Sequence, residues 1–194
     1  MITILKGENM SQTTRNALAT SLKKLLENKP LEKISVRDIT EDSEVNRQTF
    51  YYHYKDVYDL IEGIFLEEGT KVLGDYKRYD SFQQGFVQIF YYILENQRLV
   101  LSAYHSLGRE RLERFLYGEV HKLIIRVVSN ESNSLDVSDA HKNYVANFYK
   151  YAIVGMIFQW IRTDMKEDPK EVVDTISDFI SGDIYHSLLK YHDK

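Results

Sequence analysis

The chain has no cysteine, and only two prolines and nine glycines among 194 residues. The missing cysteine excludes disulfides, thiolate metal sites and cysteine nucleophiles, and a reducing cytosol suits such a chain. The scarcity of proline and glycine, the two strongest helix breakers, favours long uninterrupted helices. No stretch approaches the ~20 apolar residues a transmembrane helix needs. The most apolar run, Tyr151 to Phe158, is flanked by Lys150 and Gln159. The opening Met1-Ile2-Thr3-Ile4-Leu5-Lys6 has too short an apolar core and no basic lead for a signal peptide. A cytoplasmic protein with no membrane partner is expected.

Basic charge is also scarce. The net charge is −4 and the pI near 5.9, so nothing global points to a nucleic-acid partner. Residues 1–57 hold nine Lys/Arg against eight Asp/Glu, a net of +1 that leaves −5 for the remainder. A nucleic-acid surface here must be a narrow strip. There is no P-loop, no G-x-G-x-x-G after a strand and no G-x-S-x-G, so an enzyme is not expected. The six histidines form no i, i+4 ligand cluster, and His186 and His192 fall on different helix faces. Neither a metal nor a cofactor is expected. What the chain does have is 43% hydrophobic residues, enough to bury one large or two small cores.

The stretch from Ser35 to Lys55 organises the rest. It reads as two short helices joined by a tight turn, with Ser35 capping the first, Asp38 as the reciprocal carboxylate and Asn46 capping the second. Val36, Ile39, Val45, Phe50 and Tyr54 are expected to face inward. Arg47, Gln48, Thr49, Tyr51, Tyr52 and His53 then lie at or near the other side, with no carboxylate between Val45 and Lys55. That chemistry suits a DNA major groove: Arg can bridge guanine O6/N7, Gln adenine N6/N7, and a Thr methyl can touch thymine. Tyr hydroxyls and Lys55 suit phosphate oxygens. The alternative from these residues alone is a polar surface helix whose aromatics are core.

Ile34-Ser35-Val36-Arg37-Asp38-Ile39-Thr40, then Val45 and Thr49-Phe50-Tyr51-Tyr52-His53-Tyr54-Lys55-Asp56, resembles the helix-turn-helix signature of the TetR family of transcriptional regulators. The resemblance is dense over residues 11–66. Asn46 to Tyr54, with Tyr58-Asp59-Leu60 after it, looks most like the dihydroxyacetone-kinase-regulator subgroup. The resemblance implies an all-α homodimer with an N-terminal DNA-binding domain and a C-terminal domain that dimerises and senses an effector. It places Ser35, Val36 and Arg37 beside DNA, Arg47, Gln48 and Thr49 toward bases, and Tyr51, Tyr52, His53 and Lys55 toward the backbone. Glu44 stands where the family usually has Gly in the turn, and Val57 where a phosphate-binding Lys is common. A non-Gly residue at positive φ costs roughly 1 kcal/mol or more.

Taken in order, Lys6-Gly7-Glu8-Asn9-Met10 is what a purine-rich ribosome-binding sequence would spell in frame, which makes Met10 a candidate natural start. Ser11 to Asn28 reads as a helix on its Leu18, Leu22, Leu25 and Leu26 spacing. A DNA-binding domain is expected over residues 10–56 and a regulatory and dimerisation domain over 57–194, with a connecting helix at 57–76 whose stripe is Val57, Leu60, Ile61, Ile64 and Phe65. Ser81 with Gln84 reads as a capping box for a helix to about Asn96. Further helices are expected from Arg98 to Ser106, from Gly108 to Ser129 with Val127 inward, and from Ser138 to Met165. Asp168-Pro169-Lys170-Glu171 starts a last helix carrying Val172, Val173, Ile176, Phe179, Ile180, Ile184 and Leu188. The expected total is about nine helices.

The last two helices carry excess apolar surface, which points to self-association. A two-fold dimer implies a near-palindromic operator in double-stranded DNA. An effector pocket, apolar with a few hydroxyls, is expected in the Tyr-rich C-terminal part, with Tyr104, His121, Phe148, Tyr151 and Gln159 as candidates. The resemblance allows a protein co-regulator in place of a small-molecule effector. Two functions follow: an effector- or partner-gated DNA-binding regulator, or a helical interaction module of the same fold with weak or lost operator binding, which Glu44, Val57 and the slight charge asymmetry motivate.

Overall fold

In a computed structural model the chain is described over residues 2–73, 82–106, 109–180 and 182–192, with side chains from Ser11 onward except those of Thr70, Val72, Leu73 and Phe82. The described residues are helical and contain no strand. They divide into two compact units, residues 1–68 with 96–112, and residues 69–95 with 113–194.

The first unit is built on α1 (Ile2–Leu26), whose Leu18, Leu22 and Leu26 are buried while Leu25 is half-buried. Lys29 closes the helix with its amide on the Leu25 carbonyl, and Pro30 leads into a single 3-10 turn at Leu31–Lys33 that plugs Leu31 into the core. Then come α2 (Val36–Asp42), α3 (Arg47–His53) and α4 (Val57–Leu73). Each start has its own signal. Ser35 and Asp38 form a complete capping box, the Asn46 side chain accepts the Gln48 amide, and Asp56 Oδ1 accepts the Asp59 amide at 2.7 Å. Ile39, Phe50, Leu60, Ile61 and Phe65 are fully buried, and the buried Ser21 hydroxyl donates to the Ile39 carbonyl, tying α1 to α2. Val36 and Val45, expected inside, are only half-buried. The connecting helix was expected to reach 76; residues 74–76 lie outside the described residues, as do Ser81 and Gly108, the expected starts of two later helices. Helix α6 (Gln97–Tyr104) packs against α1 and completes this unit.

The second unit holds α5 (Phe82–Glu95), most of α7 (Arg109–Glu131), α8 (Asp139–Arg162), α9 (Pro169–Ile180) and α10 (Asp183–Leu189). Its core is aromatic: Phe86 meets Phe90 edge-on, and Phe90 lies 5.0 Å from Trp160, whose indole N–H donates to the Glu167 carbonyl. The buried α7 row steps by four, through Leu116, Val120, Ile124 and Val128, so the expected Val127 is half-buried instead. Several boundaries differ from expectation: α1 starts at Ile2 and ends at Leu26 where Ser11 to Asn28 was read, α6 ends at Tyr104 and α7 runs on to Glu131. Helix α8 ends at Arg162, because Asp164 (φ 59°) and Met165 (φ 55°) turn left-handed. The last helix breaks at Gly182 (φ 80°), so what reads as one helix from Pro169 to Leu188 is α9 plus α10. With these two counted as one, the described residues hold nine α-helices, against an expected total of about nine. Phe179, one of the apolar residues carried by that last stretch, is 66% exposed. No helix among the described residues is long and apolar enough to cross a membrane.

Candidate nucleic-acid interface

The capping geometry that starts α2 and α3 also decides which side chains are offered outward. The turn between them passes through Glu44 at φ 55°, a left-handed backbone that glycine adopts freely and glutamate does not. With Phe50 fully buried and Tyr54 almost so, the α3 residues off that pair must face away from the core. Arg47, Gln48 and Tyr52 are exposed, Tyr52 to 84%, and Tyr51 is half exposed. Thr49 and His53 are half-buried at the edges of the same face, and Lys55 is exposed just beyond the helix. Ser35 and Arg37 are exposed at the start of α2. The first unit therefore brings the three α2 positions, the six α3 positions and Lys55 to its surface, though Val36, Thr49 and His53 only in part.

The exposed groups are not all idle. Arg47 Nη2 donates to the Tyr51 hydroxyl at 3.3 Å, with its guanidinium 5.6 Å from the Tyr51 ring centroid. Tyr51 in turn stands edge-on to the core ring of Phe50 at 5.6 Å. The guanidinium therefore rests on a ring that the core holds in place. The Tyr51 hydroxyl, expected at a phosphate, is partnered with Arg47 in the free protein. Arg37 is engaged too, its Nε 2.6 Å from Glu41. Burial, and then the nearby positive charge of Arg15, push the His53 imidazole below its ordinary range, which favours the neutral ring.

Two supports were not legible in the residue pattern. Lys29, at the far end of the α1–α2 connection, lies 2.9 Å from Asp38. With the Ser35 hydroxyl and amide it holds the Asp38 carboxyl well below the usual carboxylate range, so the capping box stays ionised. Tyr54 lies against Gly63 of α4: a Cβ there would sit 2.6 Å from Tyr54 Cε1. Burial, then Glu67, push the Tyr54 phenol up to about 12. A glycine amid the apolar stripe of α4 is the one sequence signal for that close approach.

The five residues expected to line an effector pocket are shared between the two units. Tyr104 belongs to the first unit and the other four to the second. Phe148 (69% exposed), Tyr151 (57%) and Gln159 face outward from α8. His121 behaves differently. Its buried Nδ1 has no hydrogen-bond partner, and burial, then Lys150, lower its pKa. Close by, Lys150 lies 4.4 Å from the Tyr151 ring centroid, and Tyr151 meets Tyr117 edge-on. No group of three His, Cys, Asp or Glu that could hold a metal occurs among the described residues.

The sequence matches the family described as "Transcriptional regulator C-terminal region" (TetR_C_8) over residues 80–182, more than half of the chain. Over 145 residues, 74% of this chain and 76% of the relative, it is 24% identical to the HTH-type dhaKLM operon transcriptional activator DhaS of Lactococcus lactis subsp. lactis (strain IL1403). The fold is similar to a solved structure of the dihydroxyacetone kinase operon activator DhaS, with a TM-score of 0.70 at 20% identity over 93% of this chain and 98% of that one. It is also similar to NalD, the secondary repressor of the MexAB-OprM multidrug efflux pump in Pseudomonas aeruginosa, with a TM-score of 0.56 at 15% identity over 91% and 98% of the two chains.

Proposed function

Since the chain belongs to the TetR family of transcriptional regulators, whose members bind operator DNA and are not enzymes, we propose that it is a homodimeric, sequence-specific DNA-binding regulator of the cytoplasm. Residues 10–56 carry DNA recognition, and residues 57–194 carry dimerisation and the response to an effector or a protein co-regulator. The observation that carries the reading is the α3 surface. Arg47 and Gln48, the two side chains able to bridge purine edges bidentately, are exposed in its first turn, with Arg47 already oriented on Tyr51. Thr49 beside them supplies a methyl for thymine, while Tyr52 and Lys55 flank them as phosphate contacts.

Dimerisation is supported by the outward apolar side chains of the C-terminal helices. Tyr144, Phe148 and Tyr151 recur at i, i+4, i+7 along α8, and Phe179 stands out from α9. A soluble monomer rarely leaves such side chains contiguous and uncovered. The cluster of Tyr117, His121, Lys150 and Tyr151 supports an effector contact, because an unpartnered buried imidazole nitrogen is a hydrogen-bonding capacity the protomer leaves unused. A two-fold dimer would read a near-palindromic operator.

The test is an anisotropy titration of the purified protein against its own upstream intergenic DNA and a shuffled control at two salt concentrations. Preference for the native DNA that weakens steeply with salt is expected. Equal affinity for both, or none, would instead favour a helical interaction module of the same fold, the reading that the Arg37–Glu41 pair and the acidic Glu44 support.

A further inference from the structure

Three carboxylates crowd the first turns of α4. Asp56, Asp59 and Glu62 follow one another at intervals of three and so share one helix face. Two of them also hold backbone at the exit of α3. Asp56 Oδ1 accepts the Asp59 amide at 2.7 Å, and Asp59 Oδ2 accepts the Lys55 amide at 2.8 Å. Left alone, three negative charges on one face would repel one another beside a surface meant for phosphates. A single guanidinium meets all three. Arg111, in the first turn of α7, places Nη1 2.7 Å from Glu62 Oε2 and 3.3 Å from Asp59 Oδ1, and Nη2 3.7 Å from Asp56 Oδ1. Arg111, Asp59 and Glu62 are each less than a third exposed, so the cluster is a partly desolvated network, unlike an isolated surface pair.

We propose that Arg111 is a positioning residue for DNA binding, a clamp that fixes the start of α4 and, through Asp59, the backbone of Lys55 where the recognition helix ends. The proposal rests on the DNA-binding reading above. The polar partners of Arg111 are Asp56, Asp59 and Glu62, and it acts through the two carboxylates that do the capping. The planar fork matters as well as the charge, because one donor edge serves Asp59 and Glu62 together while the second nitrogen faces Asp56, which a lysine ammonium cannot reproduce. The position also has a regulatory meaning. The second unit's share of α7 begins at Glu113, two residues on, so α7 carries the clamp and then continues into the second unit. A small rotation of α7 about its axis would withdraw the guanidinium from α4.

The experiment uses full-length Arg111→Gln and Arg111→Lys, with Glu62→Gln as an approach to the same cluster from α4 should Arg111→Gln fold poorly. Two quantities are read: amide hydrogen exchange of peptides covering residues 54–60 in the DNA-free protein, and operator affinity as a function of salt. Arg111→Gln is expected to speed exchange at Lys55 and Asp59. It should weaken operator binding about tenfold, the effect of ~1.4 kcal/mol, without changing the slope of log affinity against log salt. Arg111→Lys should recover part of both. Unchanged exchange in folded Arg111→Gln and Glu62→Gln would overturn the clamp. Wild-type affinity in folded Arg111→Gln would overturn its role in binding. A slope reduced by about one would make Arg111 a direct phosphate contact and overturn its role as a positioning residue. Loss of sequence preference in the unmutated protein would instead remove the DNA-binding reading, and with it the binding half of the proposal, while exchange still decides the clamp.

Discussion

Gly63→Ala isolates the contact that sets the end of α3. Gly63 is inside α4, where alanine normally stabilises by about 1 kcal/mol through helix propensity and lower unfolded-chain entropy. Here the added methyl would meet Tyr54 Cε1 at 2.6 Å, and Cζ and the hydroxyl at 3.3 Å. Tyr54 is 8% exposed and packs its ring 5.9 Å from Phe50, while its amide closes α3 on the Phe50 carbonyl. A rigid ring wedged in this way cannot rotate aside, so it must shift and carry the last turn of α3 with it. Overpacking of this kind costs about 1–3 kcal/mol. Set against the propensity gain, the variant should be destabilised by about 0–2 kcal/mol and should bind operator more weakly. The control is Gly118→Ala in α7, where an added methyl meets nothing within 4 Å; it should stabilise by about 0.5–1 kcal/mol. Urea unfolding followed by circular dichroism separates the two. If Gly63→Ala stabilises as much as Gly118→Ala, Tyr54 is not a strut and the reasoning fails.

Further outcomes follow from the same geometry. Arg47→Ala should cost about 1–3 kcal/mol and relax specificity, whereas Lys55→Ala should weaken cognate and shuffled DNA alike and lower the salt slope by about one; equal loss on both DNAs from Arg47→Ala would remove its base-reading role. The depressed Asp38 carboxyl contributes stability that is present above the unfolded value near pH 4 and is lost as pH falls through its folded value. Urea midpoints of wild type and Asp38→Asn should therefore converge on acidification, and a gap that does not change with pH would contradict this. Phe148→Glu should loosen self-association about 30-fold or more in sedimentation velocity, as for an interface anchor worth ~2 kcal/mol; an unchanged dimer would put the interface elsewhere. Glu44→Gly should stabilise by about 0.5–1 kcal/mol in thermal or urea unfolding, since the left-handed backbone is there already, and a loss of stability would show that the Glu44 side chain does more than occupy the turn.

Local chemistry was the legible part of this chain. Ser35, Asp38, Asn46 and Asp168 announce helix starts because a cap is decided within four residues, and each forms in the structure. The all-α class and the buried run Ile39, Phe50, Leu60, Ile61 and Phe65 follow from helical periodicity in the same way. Periodicity does not say what covers an apolar face. Phe148 and Tyr151, expected to line a pocket, and Phe179 are exposed in the protomer, and Val36 and Val45 are covered only in part. The break at Gly182 was hidden because Ile176, Ile180, Ile184 and Leu188 keep a four-residue rhythm straight across it. The Arg111 cluster and the Lys29–Asp38 pair could not be seen from local pattern at all. They join residues 49–55 and 9 positions apart through the folded chain, with no periodic signal to mark them.

Glu44 has a consequence on a different timescale. Glutamate codons differ from glycine codons by one base, so the strained turn between α2 and α3 lies a single point mutation from its relaxed form. That change would remove a negative charge from the turn and relieve its left-handed backbone at once. Both effects push in the same direction, toward a tighter hold on a polyanion. A selection in cells for stronger occupancy of a target promoter should recover this substitution early and repeatedly. The glutamate thus marks a heritable adjustment point, where the strength of gene control can move by one nucleotide without disturbing any side chain that would read a base.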